Sequence, residues 1–307
     1  MKILVTGGAG FIGSHLTEAL LAQSHEVHVL DNLYSGLRSN VPAGVPFHEL
    51  DIQAPEVREL FARERYEVVY HQAAQMDVRL SVADPLFDAR VNILGSLNLI
   101  ESGLRSGLKK FIFASSGGAG YGEQDYFPAD EAHPIRPISP YGITKVTVER
   151  YLFYYNQVQG LPYVSLRYAN VYGPRQSPHG EAGVVAIFAR RMLQGQQPFI
   201  NGDGLQTRDF VFVQDVVNAN LKALHHANSG CYNVGTGVET DIVTLFRHLN
   251  AAMDNRFAQT HQEGKAGEQR RSVLSWDLIA REMGWQPEVK FEEGLRETLE
   301  WFRSQVG

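Results

Sequence analysis

The chain has 307 residues, 44% hydrophobic and 20% charged, with 28 basic and 34 acidic side chains and a net charge of −6. That composition suits a soluble globular protein of one large domain or two smaller ones. It excludes a basic footprint for nucleic acid, a membrane-spanning apolar run and, with Cys231 as the only cysteine, an intrachain disulfide. No charged segment followed by a long apolar one opens the sequence, so the expectation is a cytoplasmic protein without a leader, and a cysteine-based metal site is disfavoured.

Strand and helix signals alternate through the first half. Lys2 to Val5 reads as a buried strand, and Phe11, Ile12, Leu16, Ala19 and Leu20 recur at helical spacing after it. His25 to Leu30 is the next strand, and Asn32 to Gly44 is a polar loop. Phe47 to Leu50 is a short strand, Pro55 opens a helix through Arg63, and Glu67 to His71 is extended. Pro85 to Arg105 reads as one long helix, Phe111 to Phe113 as a strand, Pro140 to Asn156 as a helix behind Ser139, and Tyr163 to Leu166 as a strand. Strands separated by helices require crossover connections, hence a parallel sheet covered on both faces. Beyond Asn170 the elements are shorter and more mixed: helices over 183–193, 215–226 and 293–302, with extended pieces at 198–200 and 209–213. The expectation is an α/β doubly wound (Rossmann) sheet over 1–170, onto which 205–228 packs back, and a smaller, mixed substrate-binding portion over most of 171–307.

Thr6 to Gly13, T-G-G-A-G-F-I-G, stands where the first strand turns into the first helix. Gly7 can supply a backbone angle that a side chain forbids. Gly10 lets backbone approach a pyrophosphate, and Gly13 lets the helix lie close to the strand. The unpaired N–H groups that open the helix suit phosphate. A tight turn without ligand is the plainer reading of the glycines alone. Asp31, eighteen residues after Gly13 at the end of the next strand, is the second signal, because a carboxylate there accepts from a ribose 2′-hydroxyl and repels a 2′-phosphate. Together they predict a dinucleotide site that prefers NAD to NADP.

Tyr141 and Lys145 are four apart, so both side chains share one helix face. A tyrosine is a poor base at neutral pH, and a neighbouring ammonium lowers its pKa. Tyr141 can then take a proton from a sugar hydroxyl as hydride leaves the same carbon. The plainer reading is a packed tyrosine beside a solvated lysine. The third stretch, Ser115-Ser116-Gly117-Gly118-Ala119-Gly120, follows a strand at its carboxyl end. It is equally a site for a substrate-directed hydroxyl and a glycine-rich turn that uses serines to satisfy its own backbone.

Taken as a set, these stretches resemble the extended short-chain dehydrogenase/reductase family in its nucleotide-sugar branch, and within it the UDP-glucose 4-epimerases. The resemblance runs nearly end to end. Besides the stretches above it is carried by Asp51-Ile52, His71-Gln72-Ala73-Ala74, Asn92, Leu166 to Arg175, Gly202-Asp203-Gly204, Arg208-Asp209-Phe210-Val211 and Tyr232 to Gly235. It implies that Gly7, Gly10, Phe11 and Ile12 hold the NAD pyrophosphate, Asp31 and Asn32 the adenosine ribose, and Asp51 and Ile52 the adenine. Ala73, Ala74, Asn92, Ser115 and Tyr168 would line the cofactor groove. Tyr141 would be the acid/base, Lys145 the nicotinamide-ribose ligand and Ser116 the assisting hydroxyl. Ser116, Asn170, Val185, Arg208, Lys265 and Ser272 would meet a UDP-sugar. The implied reaction is epimerisation at C4 of a UDP-hexose through a 4-keto sugar, by a cytoplasmic homodimer.

Three positions depart from the family pattern. The usual catalytic hydroxyl position is Gly117, with Ser116 one residue earlier. The late Arg-x-Gly-Asp phosphate motif appears as Lys265-Ala266-Gly267-Glu268, which keeps a charge but loses the bidentate fork. The bulky gate beside the sugar C2 substituent is Ser272, which leaves room for an N-acetyl group. Gly118 and Ala119 stand where dehydratases carry an Asp-Glu pair and decarboxylases a Glu, so those reactions are disfavoured. A reductase that releases its cofactor stays open, as does a dinucleotide sensor, although sensors typically lose the tyrosine or lysine. His225 and His226 read as a solvated helix end rather than as metal ligands.

Overall fold

The structure is a computed structural model that describes residues 1–178, 183–264 and 269–306. Its strands are β1 (Lys2–Thr6), β2 (Glu26–Asp31), β3 (Phe47–Glu49), β4 (Val68–His71), β5 (Lys110–Ser116), β6 (Tyr163–Tyr168), β7 (Asn170–Tyr172), β8 (Ile200–Asn201), β9 (Thr207–Phe212), β10 (Gly230–Val234), β11 (Glu239–Asp241) and β12 (His261–Gln262). Its helices are α1 (Phe11–Ala22), α2 (Glu56–Glu64), α3 (Val78–Ala83), α4 (Pro85–Ala89), α5 (Gly95–Arg105), α6 (Gly117–Tyr121), α7 (Pro140–Gln159), α8 (Val184–Leu193), α9 (Val213–His225), α10 (Ile242–Ala251), α11 (Asp277–Met283) and α12 (Phe291–Val306).

Seven parallel strands form one sheet in the order β10-β6-β5-β4-β1-β2-β3. The doubly wound sheet expected from the alternating signals is therefore present. Successive side chains of a strand face opposite sides. Ile3 and Val5 accordingly join the core shared with Leu16, Val216, Ala219 and Trp285. Leu4 joins the opposite core with Phe61, Leu99, Phe111 and Leu152. Helix α9 lies against α1. The sheet also takes β10, and α11 packs on that strand. Neither 230–234 nor 277–283 is expected in this layer from the sequence. The run Gly230-Cys231-Tyr232-Asn233-Val234 alternates too weakly to announce a strand, and pairing with β6 decides it.

A second core lies under a three-stranded sheet, β11-β9-β7, with Phe188, Phe210, Phe212, Phe246 and Phe302. Ile12 of α1 packs against both cores, so the helix that follows the glycine turn joins the two parts.

The predicted helix over 85–105 is three pieces. Between α4 and α5 the backbone makes a wide π turn over Arg90–Leu94. There Asn92 leaves the helical surface to exchange hydrogen bonds with the Gln75 backbone, 2.9 Å each way. Helix α7 runs three residues beyond its predicted end because Gly160, at φ +71°, is what terminates it. Ser139 caps its start, accepting from the Gly142 N–H at 3.1 Å.

Helix α7 is also fixed by a buried ion pair. Arg167 of β6 donates from Nε and Nη2 to both oxygens of Glu149, at 2.9 and 2.7 Å, with both side chains under a tenth exposed. Removing one member of such a pair strands the other charge. Glu149→Leu should therefore cost about 3–5 kcal/mol of unfolding free energy, and Glu149→Leu with Arg167→Met far less. Urea denaturation of the two variants measures this, and equal costs would show that the pair is not the contact that matters.

Candidate active site

The C-terminal ends of β1, β2, β4 and β5 converge on one edge of the sheet, where a doubly wound fold places its ligand. The turn after β1 is closed by Gly7 N–H donating to Leu30 O at 2.8 Å and Gly10 N–H donating to Gly7 O at 3.0 Å. Gly7 has φ +70°, and a Cβ there would lie 2.6 Å from Ala73 N. A Cβ on Gly13 would lie 2.1 Å from Gly7 O. Both positions therefore exclude a side chain, as the sequence pattern requires. Helix α1 opens on Gly10 with no capping side chain and no acidic residue in its first turn. Its first N–H groups are arranged for an anion that must come from outside the helix.

Asp31 ends β2 and is 7% exposed. It accepts from the Ala9 N–H at 3.0 Å and from the Leu33 N–H at 2.8 Å. Burial pushes its pKa up, and those two hydrogen bonds pull it back. Asn32 donates to Asp51 at 2.9 Å, which joins the ends of two predicted ligand segments. The Ile52 side chain is buried against Gly95 of α5. Ala73 sits over the glycine turn, its N–H donating to Thr6 Oγ1 at 3.3 Å.

Behind the groove stands His71, a motif residue to which the sequence assigns no role. Ser96 Oγ donates to Asn92 O at 2.5 Å, so it accepts from His71 Nε2 at 2.8 Å. His71 Nδ1 then accepts from Thr6 Oγ1 at 2.7 Å. The ring is held as the neutral Nε2–H tautomer, and burial with the nearby Lys145 charge pushes its pKa down to about 3. Asn92 is 3% exposed and lies in a cluster with Gln75, Asp88 and Thr144. Asp88 and Thr144 are not among the residues expected from the sequence: Asp88 stands in no motif, and Thr144 lies inside the Tyr141–Lys145 stretch without an assigned role.

Tyr141, half-buried, opens α7, and Lys145 follows one turn later, 4% exposed. Lys145 Nζ lies 5.7 Å from the Tyr141 ring centroid and 4.8 Å from that of Phe113. It donates to Ala114 O at 2.8 Å, a carbonyl rather than a carboxylate. Burial pushes its pKa down to about 8, against the pull of Asp88 and Glu149. The pair expected from spacing is thus brought together, and Lys145 is a buried cation rather than a solvated one.

Residues 117–121, read as a glycine-rich turn, form α6. Ser116 caps it, its Oγ accepting from the Ala119 N–H at 3.4 Å. A Cβ on Gly117 would lie 2.5 Å from Leu274 Cδ1, so apolar side chain fills the space that a hydroxyl-bearing residue would need. Ser115 and Tyr168 are less available to a cofactor than the resemblance implies. Ser115 Oγ donates to Glu149 at 2.7 Å. Tyr168, 6% exposed, accepts from Asn220 at 2.8 Å and from Gln72 at 3.3 Å, with its pKa pushed up to about 12 by burial.

On the opposite wall, Asn170 is exposed at the start of β7, and Arg208 on β9 pairs in register with Thr240 and donates to Thr207 O at 2.7 Å. The Val185 side chain is 1% exposed in the second core, which leaves only its backbone, in the first turn of α8, for the role the resemblance implies. Lys265 lies outside the described residues. Ser272, 4% exposed, has its Oγ 3.0 Å from where a Gly118 Cβ would sit, which sets this small side chain directly against α6. Asp209, not assigned from the sequence, fixes that segment. Its N–H donates to Ser272 O, and its carboxylate accepts from the N–H groups of Leu274, Thr236 and Gly237. His226 is not a solvated terminus. Its Nε2 shares a hydrogen bond with Tyr232 Oη at 2.8 Å and lies 3.5 Å from Glu282.

The sequence profile described as the NAD dependent epimerase/dehydratase family matches residues 3–235. The UDP-glucose 4-epimerase of Mycolicibacterium smegmatis is 43% identical over 311 residues, covering 99% of both chains. The solved UDP-glucose 4-epimerase of Thermotoga maritima, with UDP-glucose, is 46% identical and covers all of both chains at a TM-score of 0.98. That of Thermus thermophilus, in complex with NAD, is 48% identical and covers 99% of both chains at a TM-score of 0.93. The chain belongs to the NAD-dependent epimerase/dehydratase family. The residues present fit NAD. The glycine cradle would be filled by any Cβ, the uncapped α1 N-terminus suits a pyrophosphate, and Asp31 suits an unphosphorylated ribose.

The packing around Gly117 generates a test. Gly117→Ser restores the family's usual side chain but collides with Leu274. It should cost about 1–3 kcal/mol by overpacking and raise no activity, and adding Leu274→Ala should recover part of the stability. Thermal melts and turnover measure both, and a more active single variant would show that the space is there.

Proposed function

We propose that this chain is a UDP-glucose 4-epimerase, interconverting UDP-glucose and UDP-galactose at the C4 carbon of the sugar. The observation that carries the reading is the Tyr141–Lys145 pair at the carboxyl edge of the sheet, with the Lys145 ammonium buried 5.7 Å from the phenol ring. Lys145 favours the phenolate of Tyr141. Tyr141 Oη takes the proton of the C4 hydroxyl as that carbon becomes a ketone, and returns it when the hydroxyl re-forms. The chemistry that NAD supplies when bound is reversible hydride acceptance from C4, so no net oxidation occurs.

Gly7, Gly10, Phe11 and Ile12 would hold the NAD pyrophosphate, and Asp31, Asn32, Asp51 and Ile52 its adenosine. Asn170, the α8 backbone at Val185 and the Arg208 guanidinium would hold the UDP diphosphate, for which Arg208 has the matching fork. Ser116 would present its hydroxyl proton toward the sugar while its oxygen caps α6. Ser272 against Gly118 leaves the C2 side of the sugar without a bulky wall, so the reading extends to the N-acetyl sugars.

The assembly would be a homodimer. Ile143, Tyr151, Tyr154 and Val158 fall on one stripe of α7 and are 39–64% exposed, while Tyr155 turns inward to donate to Glu101 at 2.7 Å. Val82 of α3 and Leu86 of α4, helices that flank α7, are 64% and 70% exposed. This apolar face suits a second copy. A cytoplasmic location accords with the lone cysteine, and no described helix is long and apolar enough to cross a membrane.

Purified protein without added cofactor should convert UDP-galactose and UDP-N-acetylgalactosamine with no accumulation of NADH. Tyr141→Phe should lower turnover by about 10²-fold or more while NAD stays bound. Ser272→Tyr should lower kcat/KM for the N-acetyl sugar by about tenfold relative to UDP-galactose. Chromatography of the sugars reads all three, and no conversion even with NAD supplied would overturn the assignment. Sedimentation should give the mass of two chains, falling to one on Tyr154→Asp; an unchanged mass would place the interface elsewhere.

A further inference from the structure

Lys145 is a buried ammonium without a carboxylate as its hydrogen-bond acceptor. The ionisable groups around it come from three elements: Tyr141 and Glu149 on α7, His71 on β4 and Asp88 on α4; Tyr141 is neutral as the phenol. Glu149 is already held bidentate by Arg167. His71 is locked neutral between Thr6 and Ser96. Asp88 is left as the counter-charge.

Asp88 is fully buried and belongs to none of the segments assigned to cofactor or sugar. Gln75 Nε2 donates to its Oδ1 at 2.9 Å and Asn92 Nδ2 to the same oxygen at 3.0 Å. Thr144 Oγ1 reaches its Oδ2 at 3.0 Å. The two amides cannot be turned the other way round. Gln75 Oε1 accepts from the Asp77 N–H, and Asn92 Oδ1 accepts from the Gln75 N–H. Their NH₂ groups therefore point at Asp88, and these two donors, the neighbouring Thr144 hydroxyl and the Lys145 charge favour its carboxylate against the burial that pushes its pKa up. Thr144 lies between Tyr141 and Lys145 on α7, and its Oγ1 is also 2.9 Å from Tyr141 O.

We propose that Asp88 is a positioning residue of the reaction: its buried carboxylate is the counter-charge that keeps Lys145 protonated, and through Thr144 it fixes the turn of α7 that presents Tyr141. The inference rests on the reading of Tyr141 and Lys145 as the acid–base pair. Its physical consequence is a pH dependence of definite sign. Lys145 has a folded-state pKa of about 8, below that of an unfolded lysine. The Asp88–Lys145 attraction is therefore present while Lys145 is charged, and is lost as pH rises through that value.

Asp88→Asn is the test, because an amide can still accept from Gln75 and Asn92 and donate to Thr144. Two readouts follow. The alkaline limb of the kcat profile should move down by about one pH unit. The melting-temperature gap between wild type and Asp88→Asn, measured without substrate, should be widest at neutral pH and should close as pH rises past that of the Lys145 titration. A gap that does not change with pH, with an unmoved alkaline limb, overturns the proposal, since a purely structural carboxylate would give that result. If Asp88→Asn does not fold, the variant with Lys145→Met added should, because it leaves no buried charge of this pair uncompensated; failure of that variant too overturns the proposal. Thr144→Val should lower kcat by about tenfold with the alkaline limb unmoved, and full activity would remove the positioning half. The melting readout needs no turnover. A wild type inactive on UDP-sugars but with a pH-dependent gap would sink the function and keep the inference, and the reverse pattern would do the opposite.

Discussion

The site depends on how closely the turn after β1 lies against its neighbours. At Gly7 the backbone of Ala73 stands where a Cβ would be, and at Gly13 the carbonyl of Gly7 does. With no side chain to hold them apart, α1 lies directly on the sheet and its N-terminus hangs over the ends of β1 and β4. That single contact aims unpaired N–H groups at the groove. It also places Ile12 where it can reach the second core as well as the first. The position of the second core is thus set partly by the helix that follows the glycine turn. Arg175 reinforces the connection, donating from Nη1 to Ser14 at 3.3 Å and from Nη2 to Glu18 at 2.7 Å from the loop that follows β7.

Helix α7 does for the chemistry what the glycine turn does for binding. Its start is fixed by the Ser139 cap and its middle by Glu149, whose carboxylate gathers Arg167, Ser115 and Ser165 from two strands. Tyr141 and Lys145 lie between these two anchors. Moving either would have to shift a buried ion pair or expose a buried cation, and both are costly in a low-dielectric interior. The Tyr141–Lys145 pair is therefore held in place without being on a sheet.

Most of the sheet was legible in the sequence, because buried parallel strands are short β-branched runs and their helices carry strong apolar periodicity. The Thr6–Gly13 turn, Asp31 and the Tyr141–Lys145 spacing were legible because their chemistry demands particular residues at particular distances. What escaped depends on tertiary partners. The π turn at 90–94 forms because Asn92 finds the Gln75 backbone, a contact 17 residues away that no local pattern encodes. Strand β10 exists because β6 offers an edge. Asp88 belongs to no motif and Thr144 is the unassigned member of one; only folding brings them together, 56 residues apart in the chain. Helix α3 could have been found, since Asp77 is an N-cap residue that accepts from the following turn, whereas α4 begins at Pro85, where the sequence opens its helix.

The segment 269–274 brings these constraints together beside α6. Gln269 donates to Gly122 O, Arg270 grips Asp203 with two hydrogen bonds of 2.9 Å, and Arg271 grips Glu239 at 2.8 and 2.9 Å while lying over the Phe127 ring. Asp209 then fastens Ser272 and Leu274 by the backbone. The segment is thus tied by side-chain pairs at its exposed end and by backbone hydrogen bonds at its buried end. Ser272 lies against Gly118 and Leu274 against Gly117, and both stand on the same aspartate-fixed stretch of backbone. The contacts at Gly117 and Gly118 are thus linked features of one wall, and a change at either position has to be judged with Asp209 holding both.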